Sequence, residues 1–283
     1  MTQRPFKQVD VFTATPYRGN PLGVVLDGSG LSSAEMQNFT NWTNLSECTF
    51  LLPPTPEGAA AGADYRVRIF CPGRELPFAG HPTLGSCHAW LEAGGVPGGE
   101  HIAQECGVGL VKIRQDGERL AFAAPPLIKE GPLDEVDVAL IARGLGVSRE
   151  DITAHAWCNN GPNWRGVMLR SADQVLALQP DGAVLAGLEI GVVGPQPSGH
   201  DTQFEVRAFF PGNAGMCEDP VTGSLNAALA QWLIGAGLAP QRYVAAQGTA
   251  LQREGRVHIH READGHIWVG GTSATCIDGT VLL

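Results

Sequence analysis

Tyr65-Arg-Val-Arg-Ile-Phe-Cys-Pro-Gly73, which runs on to His81-Pro-Thr-Leu-Gly-Ser86, decides the architecture because a similar stretch occurs twice in the chain. The second copy is Phe204-Glu-Val-Arg-Ala-Phe-Phe-Pro-Gly212, which runs on to Asp219-Pro-Val-Thr-Gly-Ser224. The two copies are separated by half the length of the chain. A tandem copy of a whole half predicts two similar domains about an approximate two-fold axis, with equivalent segments facing each other at the seam. The seam is therefore the first place to look for a site.

Composition supports two globular domains rich in strands. The 283 residues are 43% hydrophobic, which is enough to bury a core in each half. Charged residues make up only 17%, and 37 glycines and 20 prolines favour strands and turns over a helical bundle. The net charge of -10, without a cluster of Lys or Arg, excludes a nucleic-acid-binding surface.

The domain boundary is predicted where prolines interrupt regular structure, in Ala123-Ala-Pro-Pro-Leu127. Together with the repeat of strands and helices, this boundary predicts an α+β fold with two pseudo-symmetric domains, residues 1–126 and 127–283. Central helices are predicted near residues 82–93 and near residues 220–236, after the Pro-Gly turns. The last strand of the chain could cross back to the first domain.

Cysteine usage and hydropathy indicate a soluble, cytoplasmic protein. The seven cysteines are odd in number and contain no C-x-x-C pair, so neither a disulfide framework nor a zinc site is indicated. No run approaches the roughly 18 apolar residues of a membrane span, and the first residues lack an apolar signal core. We therefore expect no membrane partner.

The two predicted helix starts, His81-Pro82 and Asp219-Pro220, differ in an informative way. Proline suits the first turn of a helix, and Asp219 is a good N-cap residue whereas His81 is a poor one. Gly85-Ser86 and Gly223-Ser224 would leave backbone N–H groups open in each first turn. Two such ends facing each other predict an anion-binding site, and the expected anion is a carboxylate.

Each of these residues also has a purely structural interpretation. The glycines could only let a central helix pack closely against strands, and Asp219 could only cap its helix. His81 could be a neutral core histidine. The matched pair of helix ends, with unlike ionisable residues at one repeat position, favours a site.

Five segments together resemble the PhzF-like family, the phenazine-biosynthesis isomerase family with the diaminopimelate-epimerase fold. They are Asp10-Val-Phe-Thr13, Gly19-Asn-Pro-Leu-Gly23, Asn44-Leu-Ser-Glu-Cys-Thr-Phe50, Phe78-Ala-Gly-His-Pro-Thr-Leu-Gly85 and Glu218-Asp-Pro-Val-Thr-Gly-Ser224. The resemblance implies two domains, each a β-barrel-like sheet wrapped around a central α-helix, with a ligand cleft between them. It also implies a homodimer that needs neither a metal nor an organic cofactor.

The resemblance also implies roles for individual residues. Glu47 corresponds to the glutamate that carries the proton in these enzymes, although a lone Glu at a strand start is usually a solvated edge residue. His81 and Asp219 are implied to line the cleft and to hydrogen-bond the substrate or help move protons. Gly80, Gly223 and Ser224 are implied to hold the carboxylate.

Two further pairs of residues are interpreted as structural. Cys71 and Cys217 lie a few residues from the positions of the two catalytic thiols in racemases of this fold, which argues against a two-thiol mechanism. Arg68 and Arg207 occupy the same strand position in the two copies and could pair with carboxylates at the seam.

The leading hypothesis is a cofactor-independent isomerase that shifts a hydrogen within a small carboxylic acid, expected to be cyclic and unsaturated. Glu47 would act first as base and then as acid. An amino- or hydroxy-acid racemase or epimerase is the first alternative, and it needs a second proton carrier, Asp219 or His81. A non-catalytic protein that binds small carboxylates is the other alternative.

Overall fold

The computed structural model describes residues 2–212 and 215–283, which divide into two compact units. Unit 1 contains the chain up to Ala123 together with Gly270–Leu283, and unit 2 is Ala124–Val269. The division falls slightly before the predicted boundary between residues 126 and 127. The end of the chain, whose last strand was predicted to be able to cross back to the first domain, belongs to unit 1.

In the described part of unit 1, the elements are strands interrupted by three helices. In chain order they are β1 (Gln3–Val11), β2 (Asn20–Val25), α1 (Ser33–Thr43), β3 (Glu47–Leu52), α2 (Pro56–Ala60), β4 (Tyr65–Cys71), β5 (Arg74–Leu76), α3 (Gly80–Glu92), β6 (Ile102–Cys106), β7 (Gly109–Asp116) and β8 (Arg119–Ala123). Strand β17 (Ser273–Leu282) pairs antiparallel with β1 along its length, from Gln3 opposite Leu282 to Val11 opposite Ser273. This pairing explains why the last residues join unit 1.

Unit 2 repeats the same kinds of elements. They are α4 (Glu135–Leu145), β9 (Ala154–Asn159), β10 (Asn163–Met168), α5 (Ala172–Ala177), β11 (Ile190–Pro195), β12 (Phe204–Gly212), β13 (Gly215–Asp219), α6 (Gly223–Gly235), β14 (Arg242–Gln247), β15 (Gly255–Arg261) and β16 (Ile267–Gly271). The last two residues of β16 fall in unit 1. Among the described residues, none of the helices is both long and apolar enough to cross a membrane.

Strand pairing follows one pattern in both units. In unit 1, β2 pairs antiparallel with β1 and parallel with β3, and β4 pairs with β3, β5 and β6. In unit 2, β10 pairs antiparallel with β9 and parallel with β11, and β12 pairs with β11, β13 and β14 in the same senses. The internal repeat of the sequence therefore corresponds to a repeat of strand partners, and the α+β fold class is confirmed.

Each unit has one mostly buried helix of 13 residues. Helix α3 packs against β1, β2, β3 and β8, and α6 packs against β9 and β15. Both are apolar and rich in small residues, so they can approach the strands on several sides. Helix α3 begins at Gly80 and α6 at Gly223, whereas the predictions started them near residues 82 and 220.

Strand register corrects the alignment of the two copies around these helices. Asp219 lies opposite Ala208 on β12, just as Leu76 lies opposite Ile69 on β4. The repeat counterpart of Asp219 is therefore Leu76. The prediction that His81 and Asp219 share a repeat position is wrong, because the similarity of two short peptides aligned residues that the strand pairing separates.

The same register pairs His81 with Ser224, since each is the second residue of its helix. Gly85, predicted in the first turn, instead lies in the middle of α3, where an added Cβ would be 2.6 Å from Leu22 Cδ2. This glycine therefore lets α3 pack closely against β2, as the purely structural interpretation of the glycines predicted. For Gly223, which begins α6, the prediction of a first-turn glycine is correct.

Arg68 and Arg207 pair with carboxylates inside their own hairpins. Arg68 contacts Glu75 across β4 and β5, and Arg207 contacts Glu218 across β12 and β13, each through two nitrogens. The structural interpretation of the two arginines agrees with these contacts. Their carboxylate partners, however, belong to the same hairpin and not to another domain.

Candidate functional site

Glu47 is the first residue of β3, and its strand neighbours hold it in place. Cys48 and Phe50 are buried in the hydrophobic core of unit 1. Because side chains alternate along a strand, Glu47 and Thr49 point to the other face. Thr49 Oγ1 there accepts a hydrogen bond from Ser86 Oγ of α3 at 2.8 Å. That face of β3 is therefore the one covered by α3.

His81, at the start of α3, lies against Glu47. Its Nε2 is 3.4 Å from Glu47 Oε2, and the two side chains are 5% and 17% exposed. Burial lowers the pKa of His81 to about 3, so the imidazole is neutral at pH 7. The neutral imidazole lies beside the partly buried carboxylate without adding a positive charge there, in a close contact that is not a formed hydrogen bond.

Asn20 completes this cluster and is a residue that sequence reasoning missed. It is fully buried at the start of β2, and its Nδ2 lies 3.4 Å from His81 Nδ1. Leu22, two residues later, contacts the same helix, which is the alternation expected on a strand. The family segment that begins at Gly19 includes Asn20, but no role was predicted for this residue.

The N-terminus of α3 offers backbone donors beside this cluster. Its N-cap residue, Ala79, has no side-chain oxygen to cap the helix, and Gly80 is the first helical residue. Pro82, the third helical residue, has no N–H of its own. The N–H groups of Gly80 and His81 are thus not capped by Ala79, which is the condition for binding an anion at a helix start.

Asp219 is the last residue of β13 and does not cap α6. The N-cap residue is Thr222, because three residues separate the end of the strand from the helix. Thr222 Oγ1 donates a hydrogen bond of 2.6 Å to Asp219 Oδ2. The capping interpretation of Asp219 is therefore wrong, and its carboxylate instead lies beside the N-cap residue.

Gln247 at the end of β14 holds this helix start in place. Its Nε2 donates to the Asp219 carbonyl and to Thr222 Oγ1, at 3.2 and 2.9 Å. Its Oε1 accepts from the Thr222 N–H and from Asn226 Nδ2, at 3.0 and 2.8 Å. A side chain that is 1% exposed and makes four hydrogen bonds fixes the strand end relative to the helix.

Ser224, the second residue of α6, has a hydroxyl group whose proton is available for a hydrogen bond. Trp164 Nε1 donates to Ser224 Oγ at 3.2 Å, and Asn160 Nδ2 donates to the Ser224 carbonyl at 2.8 Å. Because an indole N–H can only donate, it occupies an acceptor position of the hydroxyl and leaves the hydroxyl proton for another acceptor. Together with the N–H groups of Gly223 and Ser224, this arrangement suits a carboxylate.

The cysteines near these clusters do not occupy the helix starts. Cys71 is on β4 and donates to the Arg74 carbonyl, and burial raises the pKa of its thiol. Cys217 is an exposed residue of β13. The second residues of α3 and α6 are His81 and Ser224, so neither helix start carries a thiol. Within residues 2–212 and 215–283, no group of three or more His, Cys, Asp or Glu side chains is arranged to hold a metal ion.

Comparison with known proteins places the chain in a family. Residues 9–279 match the family described as phenazine biosynthesis-like protein, PhzC-PhzF. The chain belongs to this family. The family predicted from the five sequence segments is therefore confirmed over nearly the whole chain.

Relatives in the PhzC-PhzF family include named isomerases. The chain is 32% identical to trans-2,3-dihydro-3-hydroxyanthranilate isomerase of Pseudomonas aeruginosa, over 97% of this chain and 98% of the relative. It is 36% identical to antisense-enhancing sequence 1 of Schizosaccharomyces pombe, over 99% of both chains. The match to the Pseudomonas aeruginosa enzyme, together with the family match, confirms the predicted enzyme class, an isomerase of this family.

A solved structure agrees in fold over the full length. The PhzF-family phenazine biosynthesis protein of Bacillus anthracis superposes with a TM-score of 0.84 at 22% identity, covering 100% of both chains. At that identity the likeness concerns the fold alone.

Proposed function

We propose that this isomerase shifts a hydrogen within a small cyclic, unsaturated carboxylic acid and that Glu47 carries the proton. The observation that supports it most is the cluster in unit 1, where a partly buried Glu47 carboxylate lies 3.4 Å from a neutral, buried His81. Partial desolvation strengthens a carboxylate as a base, and a general acid–base group needs to be held close to the carbon it serves.

The chemistry needs only one proton carrier and no change of oxidation state. The Glu47 carboxylate takes a proton from an activated carbon, and the electron pair of that C–H bond moves into the adjacent unsaturated system. The resulting carboxylic acid then gives its proton to another carbon of the same substrate, and Glu47 returns to the carboxylate form. The double bond and the hydrogen have changed places.

The kind of substrate is supported by a relative. The name of the Pseudomonas aeruginosa isomerase specifies a partly reduced ring that carries a carboxylate. We propose that the backbone N–H groups of Gly223 and Ser224, with the Ser224 hydroxyl, bind such a carboxylate. The hydrogen bond from Trp164 to Ser224 Oγ supports this, because it orients the hydroxyl as a donor.

Hydrogen exchange with deuterated water tests the proton carrier. Glu47→Gln should lower the rate at which deuterium enters product or recovered trans-2,3-dihydro-3-hydroxyanthranilate by about 100- to 10,000-fold, the usual contribution of general acid–base catalysis. Glu118→Gln makes the same chemical change at an exposed turn and should leave the rate unaltered. Full activity of Glu47→Gln would refute catalysis by Glu47. Substrate binding by the wild type without any deuterium entry would favour a non-catalytic carboxylate-binding protein.

The carboxylate site has a separate readout. Ser224→Ala should raise KM with a smaller effect on kcat, because it removes a binding contact and leaves Glu47 in place. Ser198→Ala, in an exposed loop, is the matched control. An unchanged KM for Ser224→Ala would show that the start of α6 does not bind the substrate carboxylate.

A further inference from the structure

The backbone just before Asn20 is fixed by a buried hydrogen bond and by close contact with β1. The preceding residue, Gly19, donates its N–H to the buried Asp10 Oδ2 at 2.9 Å. A Cβ at Gly19 would overlap the Val11 carbonyl oxygen, so the chain passes there in direct contact with β1. Asp10 is 2% exposed and Asn20 is 0% exposed. The position of the Asn20 side chain is therefore set by the backbone before it.

The segment between β1 and β2 contains unfavourable backbone conformations. Phe12 has a φ of 66° and Tyr17 a φ of 69°, in the left-handed region that residues other than glycine, Asn and Asp rarely adopt. Each such residue is strained and persists only where the surroundings determine its conformation. Phe12 is fully buried, which meets this condition. Strain of this kind is concentrated at functional sites, and this segment leads directly to Asn20.

The side chains of Asn20, His81 and Glu47 together are consistent with only one placement of the proton on the His81 ring. An amide nitrogen only donates, so Asn20 Nδ2 requires His81 Nδ1 to be an acceptor. A carboxylate only accepts, so Glu47 favours a proton on His81 Nε2. Both neighbours select the same tautomer of the neutral imidazole. In the other tautomer, the Nε2 lone pair would face the negative charge of Glu47.

We propose that Asn20 is a positioning residue that holds His81 in the tautomer protonated at Nε2, the nitrogen that lies 3.4 Å from Glu47 Oε2. The inference rests on the proposed role of Glu47. The N–H dipole stabilises the ionised form of Glu47, which is the form that removes the proton of the substrate. With the proton on Nδ1 instead, the carboxylate would lose this stabilisation, because the Nε2 lone pair would lie toward its negative charge.

Nitrogen NMR of protein labelled with ¹⁵N-histidine measures the tautomer directly. The His81 signals, assigned by their absence from His81→Asn, should show a protonated Nε2 and an unprotonated Nδ1 at neutral pH. Asn20→Asp keeps the size of the side chain but places only acceptors against Nδ1, so Nδ1 should become protonated. The rate of deuterium exchange into substrate should then fall about 10- to 100-fold, as expected when an orienting partner is lost.

Asn163 provides a matched control. It begins β10 as Asn20 begins β2, it is exposed, and its Oδ1 accepts a hydrogen bond from Asn159 Nδ2 that an aspartate could also accept. Asn163→Asp should leave both the His81 spectrum and the exchange rate unchanged.

Several results would overturn the proposal. A wild-type His81 protonated at Nδ1 would do so without any variant, even if Asn20→Asp failed to fold. A move of the proton from Nε2 to Nδ1 in Asn20→Asp with an unchanged exchange rate would show that the tautomer does not matter to the reaction. Failure of the proposed function is a different result, since it appears as full activity of Glu47→Gln and leaves the wild-type tautomer to be measured.

Discussion

Replacing Arg207 with alanine should destabilise the protein far more than replacing Arg68, although the two arginines hold equivalent positions in their hairpins. The Arg207 side chain is 7% exposed and its partner Glu218 is 12% exposed. The corresponding values for Arg68 and Glu75 are 18% and 41%. The equivalent Arg–Glu pairs therefore differ in environment, because the pair in unit 2 is more buried than the pair in unit 1.

The expected magnitudes follow from the groups that lose a partner. Arg207 donates to both Glu218 oxygens at 2.8 and 2.7 Å and to the carbonyls of Val175 and Leu178 at 3.1 and 2.9 Å. Without it, a buried carboxylate and two buried carbonyls lack these donors, which should cost about 3–5 kcal/mol. Loss of Arg68 exposes Glu75 further to water, which replaces most of the interaction, so the expected cost is about 1 kcal/mol.

Urea unfolding, followed by tryptophan fluorescence and by circular dichroism, measures the difference. Agreement between the two probes checks that each variant unfolds in a single transition. Replacing the pair together, as Arg207→Met with Glu218→Leu, should recover most of the loss because neither partner of the ion pair is then left buried without the other. The reasoning is refuted if Arg68→Ala costs as much as Arg207→Ala, or if the double replacement is no better than Arg207→Ala alone.

Two further substitutions test packing and burial. Gly85→Ala gains about 1 kcal/mol of helix propensity, but its Cβ would lie 2.6 Å from Leu22 Cδ2 and 2.8 Å from Val11 Cγ2. Overpacking costs about 1–3 kcal/mol, so thermal denaturation should show a net loss of stability, and a stabilised variant would contradict the packing argument. Burial raises the pKa of Glu205 to about 7, against about 4.3 in an unfolded chain, so the folded state alone holds this proton between those values. The Glu205 contribution to stability should fall by up to about 3 kcal/mol as pH rises from about 4.5 to 7. Urea unfolding of Glu205→Gln should lack this fall, and a pH slope equal to that of the wild type would contradict it.

The fold was predictable from the sequence because the two copies of the repeat share local patterns of residue types. Alternating strands, Pro-Gly turns and apolar helices depend on neighbouring residues, and these patterns recur in both halves. The repeated strand partners, such as β4 with β5 and β12 with β13, follow from them. Helix boundaries were less accessible, since Thr222 rather than Asp219 caps α6.

The candidate site was only partly predictable for a related reason. Glu47 and His81 were identified by their motifs, and the structure brings them within 3.4 Å of each other. Asn20 was missed because its role depends on contact with a histidine on α3, which is distant in sequence. The similar peptides at His81 and Asp219 suggested equivalence, but the register of β5 and β13 separates them.

The sequence by itself determined that the chain has two similar halves and a single glutamate in the family's proton-carrying motif. Those properties depend on residue types and short spacings. Local sterics and hydrophobic periodicity determine from these which segments form helices and strands. The tertiary structure decided which residues are equivalent, which glycine is for packing, and which side chain faces His81. Such facts depend on strand register and burial, where a shift of one residue turns a side chain to the opposite face.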